Sequence, residues 1–347
     1  MRLFALRVLA GQAIAAIVAA TISGLASPSA CAQARTKLQV YSTLEVANIA
    51  EFKRAFEQDN PDIEIVWIRD STGVITARIV SEGDRQRGDA IWGLAVTSVA
   101  KFKTLGLLEA YAPANLHAIR PSFRDRDNPP HWVGMEAWIA AVCFNTIEAK
   151  KLELPAPKSW FDLLDPVFKG RIVMPNPTSS GTGYFHVSAW LQLFGEDNGW
   201  KFMDALNDNI ADYVHSGSKP CQQAAAGEFP VAIAYELVGA SLKQKGAPID
   251  ILLMKEGGGW DMDTAAILKG TTKLEASRRL MDFAASRKAN EIYASFVSQV
   301  AIEGVAKPIP HYPEGVAASM IKNDLEWASE NRERILAEWA RRYTKAK

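Results

Sequence analysis

Apolar positions recur along the first part of the chain with two alternating spacings. Residues 37–42, 63–68 and 90–94 are short apolar runs with the length of buried strands. Between them, residues 46–58 and 74–81 carry apolar side chains three or four positions apart, which is typical of helices packed on one face. Strands and helices that alternate in this way predict an α/β fold with a mostly parallel sheet covered on both faces.

A second α/β unit follows in the middle of the chain. The run Trp138–Asn145 is too apolar for a loop and too short for most helices, so we interpret it as a strand that crosses between two halves. Ser159 stands where it would cap a short helix. The other predicted strands are 170–174, 213–218 (at a strand end), 231–234, 249–253 and 264–267, and the other predicted helices are 183–194, 199–207, 220–226 and most of the chain after residue 267.

These elements predict two lobes. Lobe 1 comprises residues 35–137 plus 264–347 and lobe 2 comprises residues 138–263, with crossover strands near 136–140 and 261–265. The 347 residues, of which 48% are hydrophobic, supply enough apolar material for two cores, since a single core stops growing near about 250 residues.

The start of the chain has the features of a secretory signal. Arg2 precedes a charge-free apolar stretch at 8–22, and the small residues of Ala30–Ala34 fit a cleavage site. The stretch is too short to span a bilayer, so we predict a cleavable signal peptide over residues 1–34. A lipid-modified N-terminus at Cys31 is the alternative.

Charge and cysteine content narrow the function further. The 39 basic and 39 acidic residues give a formal net charge of zero, which offers no electrostatic basis for binding nucleic acid or an anionic membrane.

Beyond the predicted signal, the cysteines are Cys143 and Cys221. In an oxidising compartment they form one disulfide, or they pack as buried thiols, and the sequence leaves both alternatives open.

Three hydroxyl-rich loops carry the candidate chemistry. Each follows a predicted strand and precedes a predicted helix, and loops of this kind line the ligand crevice of an open α/β sheet. Their small residues let backbone N–H groups approach an oxyanion, while hydroxyls and helix N-termini add donors and partial positive charge. A single hydroxyl-rich turn is also a common helix cap. The hydroxyl loops are Asp70–Gly73, Thr178–Gly183 and Ser216–Ser218.

Known catalytic and nucleotide-binding loops do not fit this pattern. The loop at 178–183 is followed by no P-loop Lys-Ser/Thr, and it lacks the Gly-x-Ser-x-Gly of a lipase elbow. His186 lies in a predicted helix, and His215 stands one residue before Ser216. We therefore predict no enzyme, with a secreted serine-dependent ester hydrolase as the alternative of another class.

Two motifs resemble those of a known family. PNPTSSGTG at 175–183 and GEFPVAIAYE at 227–236 are similar to segments of type II periplasmic solute-binding proteins of ATP-binding-cassette (ABC) importers, especially the ferric-iron-binding branch and its 2-aminoethylphosphonate-binding relatives. The resemblance covers residues 37–339. It implies two Rossmann-like α/β lobes joined by crossover hinge strands, a periplasmic monomer without cofactor, and an inner-membrane permease as partner.

The resemblance favours a phosphonate over iron. Ferric-binding members have two adjacent tyrosines where this chain has Tyr235 and Glu236, so one phenolate ligand for Fe(III) is missing and we predict no metal. Ferric iron, a polyamine or another phosphorylated solute remain alternatives.

We expect a zwitterion, 2-aminoethylphosphonate, captured by hinge closure between the lobes. Glu236 or Asp261 and an aromatic face would bind its ammonium group. The aromatic candidates are Tyr41, Trp92 and Trp260, with Trp92 alternatively in the core, and Glu45 is interpreted as a solvated cap. The anionic end would be bound by Ser71, Thr72, Gly73, Thr178, Ser179, Ser180, Gly181, Thr182, Ser216 and Ser218, with Tyr235 nearby.

Overall fold

The computed structural model describes residues 34–344. The predicted signal peptide, apart from Ala34, and the lipid-anchor alternative at Cys31 lie outside the described residues. In the described part of the chain, no helix has both the length and the apolar character needed to span a membrane.

Within residues 34–344, eleven strands form one sheet. Their order is β2-β1-β3-β10-β5-β8-β6-β7, with β4 beside β10 and with β9 and β11 beside β5. The strands are β1 (Thr36–Ser42), β2 (Ile63–Arg69), β3 (Ala90–Ala95), β4 (Leu108–Glu109), β5 (Trp132–Asn145), β6 (Ile172–Pro175), β7 (Ile210–Val214), β8 (Val231–Tyr235), β9 (Ile249–Leu252), β10 (Trp260–Leu268) and β11 (Gln299–Val300).

Helices follow most of the strands. The α-helices are α1 (Val46–Asp59), α2 (Thr72–Glu82), α3 (Val96–Thr104), α4 (Thr146–Lys151), α5 (Gly181–Phe194), α6 (Glu196–Asn207), α7 (Lys219–Ala226), α8 (Glu236–Gln244), α9 (Leu274–Ala284), α10 (Arg287–Tyr293), α11 (Val316–Ser319), α12 (Leu325–Glu330) and α13 (Arg332–Tyr343). Short 3-10 helices are Gly83–Arg85, Leu116–Ala118, Pro121–Phe123, Trp160–Leu164 and Pro166–Phe168. Ser159 caps the fourth of these, as predicted, because its Oγ accepts a hydrogen bond from Phe161 N at 3.1 Å.

The prediction of a mostly parallel sheet is confirmed for β1, β2 and β3, from which it was made, whereas the complete sheet is mixed. Strand β1 is parallel to β2 and β3, and β6 is parallel to β7 and β8. Strands β5 and β10, however, are antiparallel to their neighbours. The chain passes between its two halves along extended strands, whereas a parallel neighbour requires a long crossover connection, which is usually a helix.

Strand β5 is the main crossover. Its first part, Trp132–Ile139, pairs with β10, and its second part, Ala140–Asn145, pairs with β8 and β9. Polar side chains on the middle of this strand therefore lie where the two halves of the sheet meet.

The buried apolar side chains form separate clusters on the two sides of this crossover. Phe52, Trp92 and Leu280 belong to one cluster, whereas Val173 and Trp190 belong to another. This division agrees with two lobes, although the lobe boundaries remain a prediction. For the last helices, the packing argues against the predicted assignment of 264–347 to lobe 1, because Ala328, Ile335 and Trp339 lie in the second cluster.

A disulfide joins Cys143 of β5 to Cys221 of α7, with 5.5 Å between the Cα atoms. Of the two alternatives left open by the sequence, the structure has the bonded one. Helix α7 begins directly after the loop Ser216–Ser218, so the disulfide ties this loop to the crossover strand.

Candidate functional site

A cavity of about 390 Å³ opens at the ends of strands β1, β2, β7 and β8. Residues from both halves of the chain line it, which is where the sequence placed the ligand crevice. The lining residues are Thr43, Leu44, Glu45, Asn48, Arg69, Asp70, Ser71, Thr72, Glu136, Trp138, Ser180, Gly181, Thr182, His215, Ser216, Gly217, Tyr235, Leu237 and Asp263.

The three hydroxyl loops meet at one side of this cavity. Gly73 N donates a hydrogen bond to Ser179 O at 2.8 Å, which joins the first loop to the second. Ser179 Oγ donates to the backbone oxygen of His215 at 2.9 Å, which joins the second loop to the segment before the third. The first contact joins residues more than a hundred positions apart in the chain, and the second joins residues 36 positions apart.

Glycines permit this close approach. A Cβ atom on Gly181 would lie 2.6 Å from Thr72 Oγ1, and one on Gly217 would lie 2.4 Å from Thr182 Oγ1. Real Cβ atoms do not come so close to other atoms, so a larger residue at either position would force the facing threonine side chain, or the loop that carries it, to move.

The hydroxyl loops present donors and positive charge to the cavity. Ser180 caps α5, and Ser71 precedes α2 without forming a side-chain capping bond, which leaves its hydroxyl available. The N-terminal ends of both helices carry partial positive charge. Arg69, the last residue of β2, adds a full positive charge, and its Nε donates to Leu44 O at 2.5 Å. This side of the cavity therefore suits an oxyanion.

Four carboxyl side chains line the cavity. Asp70 belongs to the first hydroxyl loop, and we name the other three, Glu45, Glu136 and Asp263, the acidic wall. Tyr235 Oη donates to Glu45 Oε1 at 2.7 Å. Glu136 and Asp263 are buried register partners on β5 and β10. Burial raises the pKa of both carboxyls well above the ordinary value, and neighbouring carboxylates raise it further.

Several predicted ligand residues come together in the cavity lining. They are Ser71, Thr72, Ser180, Gly181, Thr182, Ser216 and Tyr235. Their roles toward a ligand remain predictions.

Four predicted residues of the hydroxyl loops lie outside the lining. Gly73 and Ser179 form the contact between loops described above. Thr178 is exposed, and its Oγ1 donates to Asn176 Oδ1 at 2.7 Å. Ser218 is buried, with its Oγ 3.2 Å from that of Ser216. These side chains support the loops instead of facing the cavity.

The predicted aromatic face is corrected by the structure. Tyr41 is buried and donates to Glu82 Oε2 at 2.5 Å. Trp92 lies in the core, where its Nε1 donates to Tyr293 Oη at 3.0 Å. Trp260 Nε1 donates to Ile321 O at 2.9 Å. Each ring nitrogen or hydroxyl has a partner within the fold, and none of the three rings lines the cavity.

The predicted ammonium ligands are also corrected. Glu236 is fully buried and accepts hydrogen bonds from Ile139 N at 2.8 Å and Tyr312 Oη at 2.6 Å. Asp261 is fully buried and accepts from Thr97 Oγ1 at 2.7 Å. Burial raises the pKa of Glu236 to about 7 and that of Asp261 to about 6. The oxygens of Glu236 and Asp261 bind groups of the fold, and neither residue lines the cavity, whereas the acidic wall does.

Sequence reasoning missed or undervalued several lining residues. Glu45 was interpreted as a solvated cap, yet it is half-buried and bonded to Tyr235. Asp263 stands two positions after Asp261, so strand alternation puts both side chains on one face of the strand. This spacing could have indicated Asp263 as a site residue. Trp138 supplies an aromatic ring in the cavity, and the position of Arg69 just before a hydroxyl loop was the signal for a cation.

The hydrolase alternative gains no support from the geometry. Ser179 Oγ donates to the backbone oxygen of His215, and the His215 ring contacts Asp70 at 3.4 Å. His186 is buried among aromatic rings, and burial lowers its pKa to about 3. Neither contact pattern is that of a serine activated by a histidine base.

A group with metal-ligand geometry lies away from the cavity lining. Asp125, Asp127 and His131 place ligand atoms within 4.8 Å of one another. The ammonium of Lys103 lies 2.6 Å from Asp125 Oδ1 and 2.9 Å from Asp127 Oδ2. An ion-pair network accounts for this cluster.

The sequence family described as bacterial extracellular solute-binding proteins matches residues 94–324. The chain belongs to this family. A relative from Sinorhizobium fredii, the probable ABC transporter periplasmic-binding protein y4fP, is 24% identical over 70% of this chain and 69% of its own. An uncharacterized protein of Haemophilus influenzae is 27% identical over 92% of this chain and 94% of its own.

A solved structure extends the likeness to three dimensions. The periplasmic binding protein AfuA from Actinobacillus pleuropneumoniae, with exogenous fructose-6-phosphate bound, superposes with a TM-score of 0.84. It is 29% identical, and the match covers 90% of this chain and all of that one. The fold is that of type II periplasmic binding proteins, as predicted. The protein is a periplasmic solute-binding component of an ABC importer, a class that pairs with an inner-membrane permease.

Proposed function

We propose that this solute-binding protein captures a small organic phosphonate or phosphate whose other end carries hydrogen-bond donors, and that 2-aminoethylphosphonate is its ligand. One observation carries the proposal: a single cavity contains the hydroxyl loops with Arg69 and also the acidic wall.

The hydroxyl loops would bind the phosphonate. Thr72, Ser180 and Thr182 line the cavity at or near the first turns of α2 and α5. Phosphonate oxygens accept charge-assisted hydrogen bonds, which are about twice as strong as neutral ones. Arg69 would balance the charge of the anion, which offsets the desolvation penalty of burying the phosphonate in a closed cleft.

The acidic wall would bind the ammonium group. An ammonium has three donors and no acceptor, so carboxylates are its natural partners. Trp138 would provide the aromatic face for the ammonium group that the sequence analysis assigned to Tyr41, Trp92 or Trp260.

A phosphorylated sugar is the second candidate. The AfuA structure contains fructose-6-phosphate, and sugar hydroxyls can also donate to carboxylates. The cavity of about 390 Å³ also lies within the range of about 300–1,000 Å³ found for drug-sized ligands, so it has room for more than a two-carbon phosphonate.

The contact between hydroxyl loops supports capture by closure. Gly73 and Ser179 belong to the two predicted lobes, and their hydrogen bond would break if the lobes moved apart. A ligand that touches both sides would therefore stabilise the closed state, and the permease would recognise that state.

Calorimetric titration of the purified secreted protein tests the proposal. The ligands are 2-aminoethylphosphonate, fructose-6-phosphate, inorganic phosphate, putrescine and ferric citrate. We expect the first to bind tightly, and the double variant Ser180→Ala/Thr182→Ala to weaken its binding by about tenfold or more. Thr178→Val is the matched control, since Thr178 belongs to the same loop but its side chain is outside the cavity lining.

Tight binding of putrescine or iron alone would refute the proposal. Phosphonate affinity that is unchanged in the double variant would also refute it, because the hydroxyl loops would then have no role. Tight binding of fructose-6-phosphate without 2-aminoethylphosphonate would select the second candidate.

A further inference from the structure

Two carboxyl side chains of the acidic wall face each other across neighbouring strands. Glu136 of β5 and Asp263 of β10 are register partners, and the Cβ atoms of such pairs lie about 4.5–5.5 Å apart. Both residues line the cavity, and Glu136 is only 1% exposed. They therefore form a buried pair of like charges at the wall of the binding site.

One oxygen of this pair lacks a partner. Glu136 Oε2 is buried and makes no hydrogen bond to any residue between 34 and 344. Folded proteins rarely bury an acceptor in this way unless it serves a ligand or another function. A donor brought by a ligand would satisfy this oxygen.

The groups that face the pair are acidic or neutral. Glu236 of α8 lies near Glu136, and the Tyr293 hydroxyl of α10 lies near both carboxyls of the pair. Glu45, Asp261 and the Tyr235 hydroxyl lie near Asp263. Two carboxylates at this separation cannot both ionise easily in a buried wall, so the pair keeps a proton. The raised pKa values of both carboxyls agree with this arrangement.

We infer that Glu136 and Asp263 share a proton in the ligand-free protein and release it when a cationic group of the ligand enters, so that the pair selects ammonium-bearing over hydroxyl-bearing ligands. The inference deepens the proposed function and rests on it. The proton passes from the carboxyl pair to the solvent, and the ammonium charge replaces it without any covalent step. A neutral hydroxyl brings no charge, so it leaves the proton in place.

The test compares two ligands that differ at one group. 2-Aminoethylphosphonate and 2-hydroxyethylphosphonate are titrated near neutral pH in two buffers of different ionisation enthalpy, which reveals protons released on binding. We expect the first ligand to release a substantial fraction of one proton and the second to release none. Glu136→Gln should abolish this release and weaken binding of the amino ligand by about tenfold or more, with little effect on the hydroxy ligand.

Two further variants guard the interpretation. Asp263→Asn should repeat the effect, so the test does not depend on the folding of a single variant. Asp282→Asn changes a half-buried carboxyl outside the cavity lining that accepts a hydrogen bond from Tyr111 Oη at 3.1 Å, and it should retain proton release.

Four results would overturn the inference. If both phosphonates bind with equal affinity, or if proton release persists in both amide variants, the pair does not distinguish an ammonium group from a hydroxyl group. The proposal that the protein binds a phosphonate would then remain. If neither phosphonate binds but fructose-6-phosphate does, the pair accepts hydroxyls and the second candidate function remains. Failure of all three ligands to bind the folded protein would overturn both proposals.

Discussion

Replacing Gly73 by alanine should block the contact between two hydroxyl loops. A Cβ atom there would lie 2.3 Å from Thr178 O and 2.9 Å from Ser179 Cα, and both are backbone atoms of the opposite loop. A flexible side chain could move aside, whereas these backbone atoms move only with their loop. The loops would therefore have to separate.

The magnitude follows from two effects. Overpacking of a tight contact costs about 1–3 kcal/mol. Loss of the hydrogen bond between Gly73 N and Ser179 O costs about 1 kcal/mol more. The sum of roughly 2–4 kcal/mol acts only where the loops touch, so ligand binding should weaken by about 30- to 1,000-fold.

Stability without ligand should hardly change. Gly73 is the second residue of α2, and alanine has a higher helix propensity than glycine. Urea unfolding of the ligand-free variant should therefore match that of the wild-type protein, while calorimetric titration shows the loss of affinity. Val74→Ala, which alters the next and exposed residue, is the control and should bind like the wild type.

Small-angle X-ray scattering with saturating ligand completes this test. The wild-type protein should become more compact on binding, and Gly73→Ala should do so less. If Gly73→Ala binds and compacts like the wild type, the loops do not touch in the liganded state and the reasoning about closure is wrong.

Three other predictions concern stability and charge. Burial raises the pKa of Glu236 to about 7, so the native state holds this proton more tightly than the unfolded chain, and its contribution to stability is complete below about pH 4.5 and lost as the pH rises through 7. Between pH 4.5 and 7 the free energy of unfolding, measured with urea, should fall by roughly 3 kcal/mol less in Glu236→Gln than in the wild-type protein. An equal fall in both proteins would contradict the raised pKa. The disulfide between Cys143 and Cys221 closes a separation of 78 residues, so the double alanine variant should lose about 4–5 kcal/mol in the same assay, with an effect near zero as the contrary result. Arg69→Met should weaken phosphonate binding by about tenfold or more in calorimetry, and equal phosphonate affinity would remove the arginine from the site.

The elements of the first α/β unit could be predicted closely from local patterns. Strand β1 was expected at 37–42 and lies at Thr36–Ser42, and α1 was expected at 46–58 and lies at Val46–Asp59. Apolar periodicity and turn residues determine such elements within a few positions.

The crossover strands could not be predicted as closely. Strand β10 begins at Trp260, four residues before the predicted start. The prediction began too late because Asp261 and Asp263, which are in fact buried, are unusual residues for a buried strand. Both carboxyls are accommodated by tertiary structure: Asp261 accepts from Thr97, which is 164 residues away. Local sequence carries no trace of such a partner.

The position of the candidate site could be predicted from the sequence, but the side chains that line it could be predicted only in part. Strand-end loops with hydroxyls pointed to the cavity, and Ser71, Thr72 and Ser180 line it. Whether a polar side chain faces the cavity or the fold depends on long-range packing. Glu236 was therefore assigned to a ligand, although Tyr312, 76 residues away, binds it.

The bond between β5 and α7 makes the stability of the chain depend on the redox state of its surroundings. With both sulfur atoms reduced, the chain would lack this tether and would unfold more readily. Oxidation fixes the Ser216–Ser218 turn beside the crossover strand. The geometry of the cleft is thus linked to oxidising conditions.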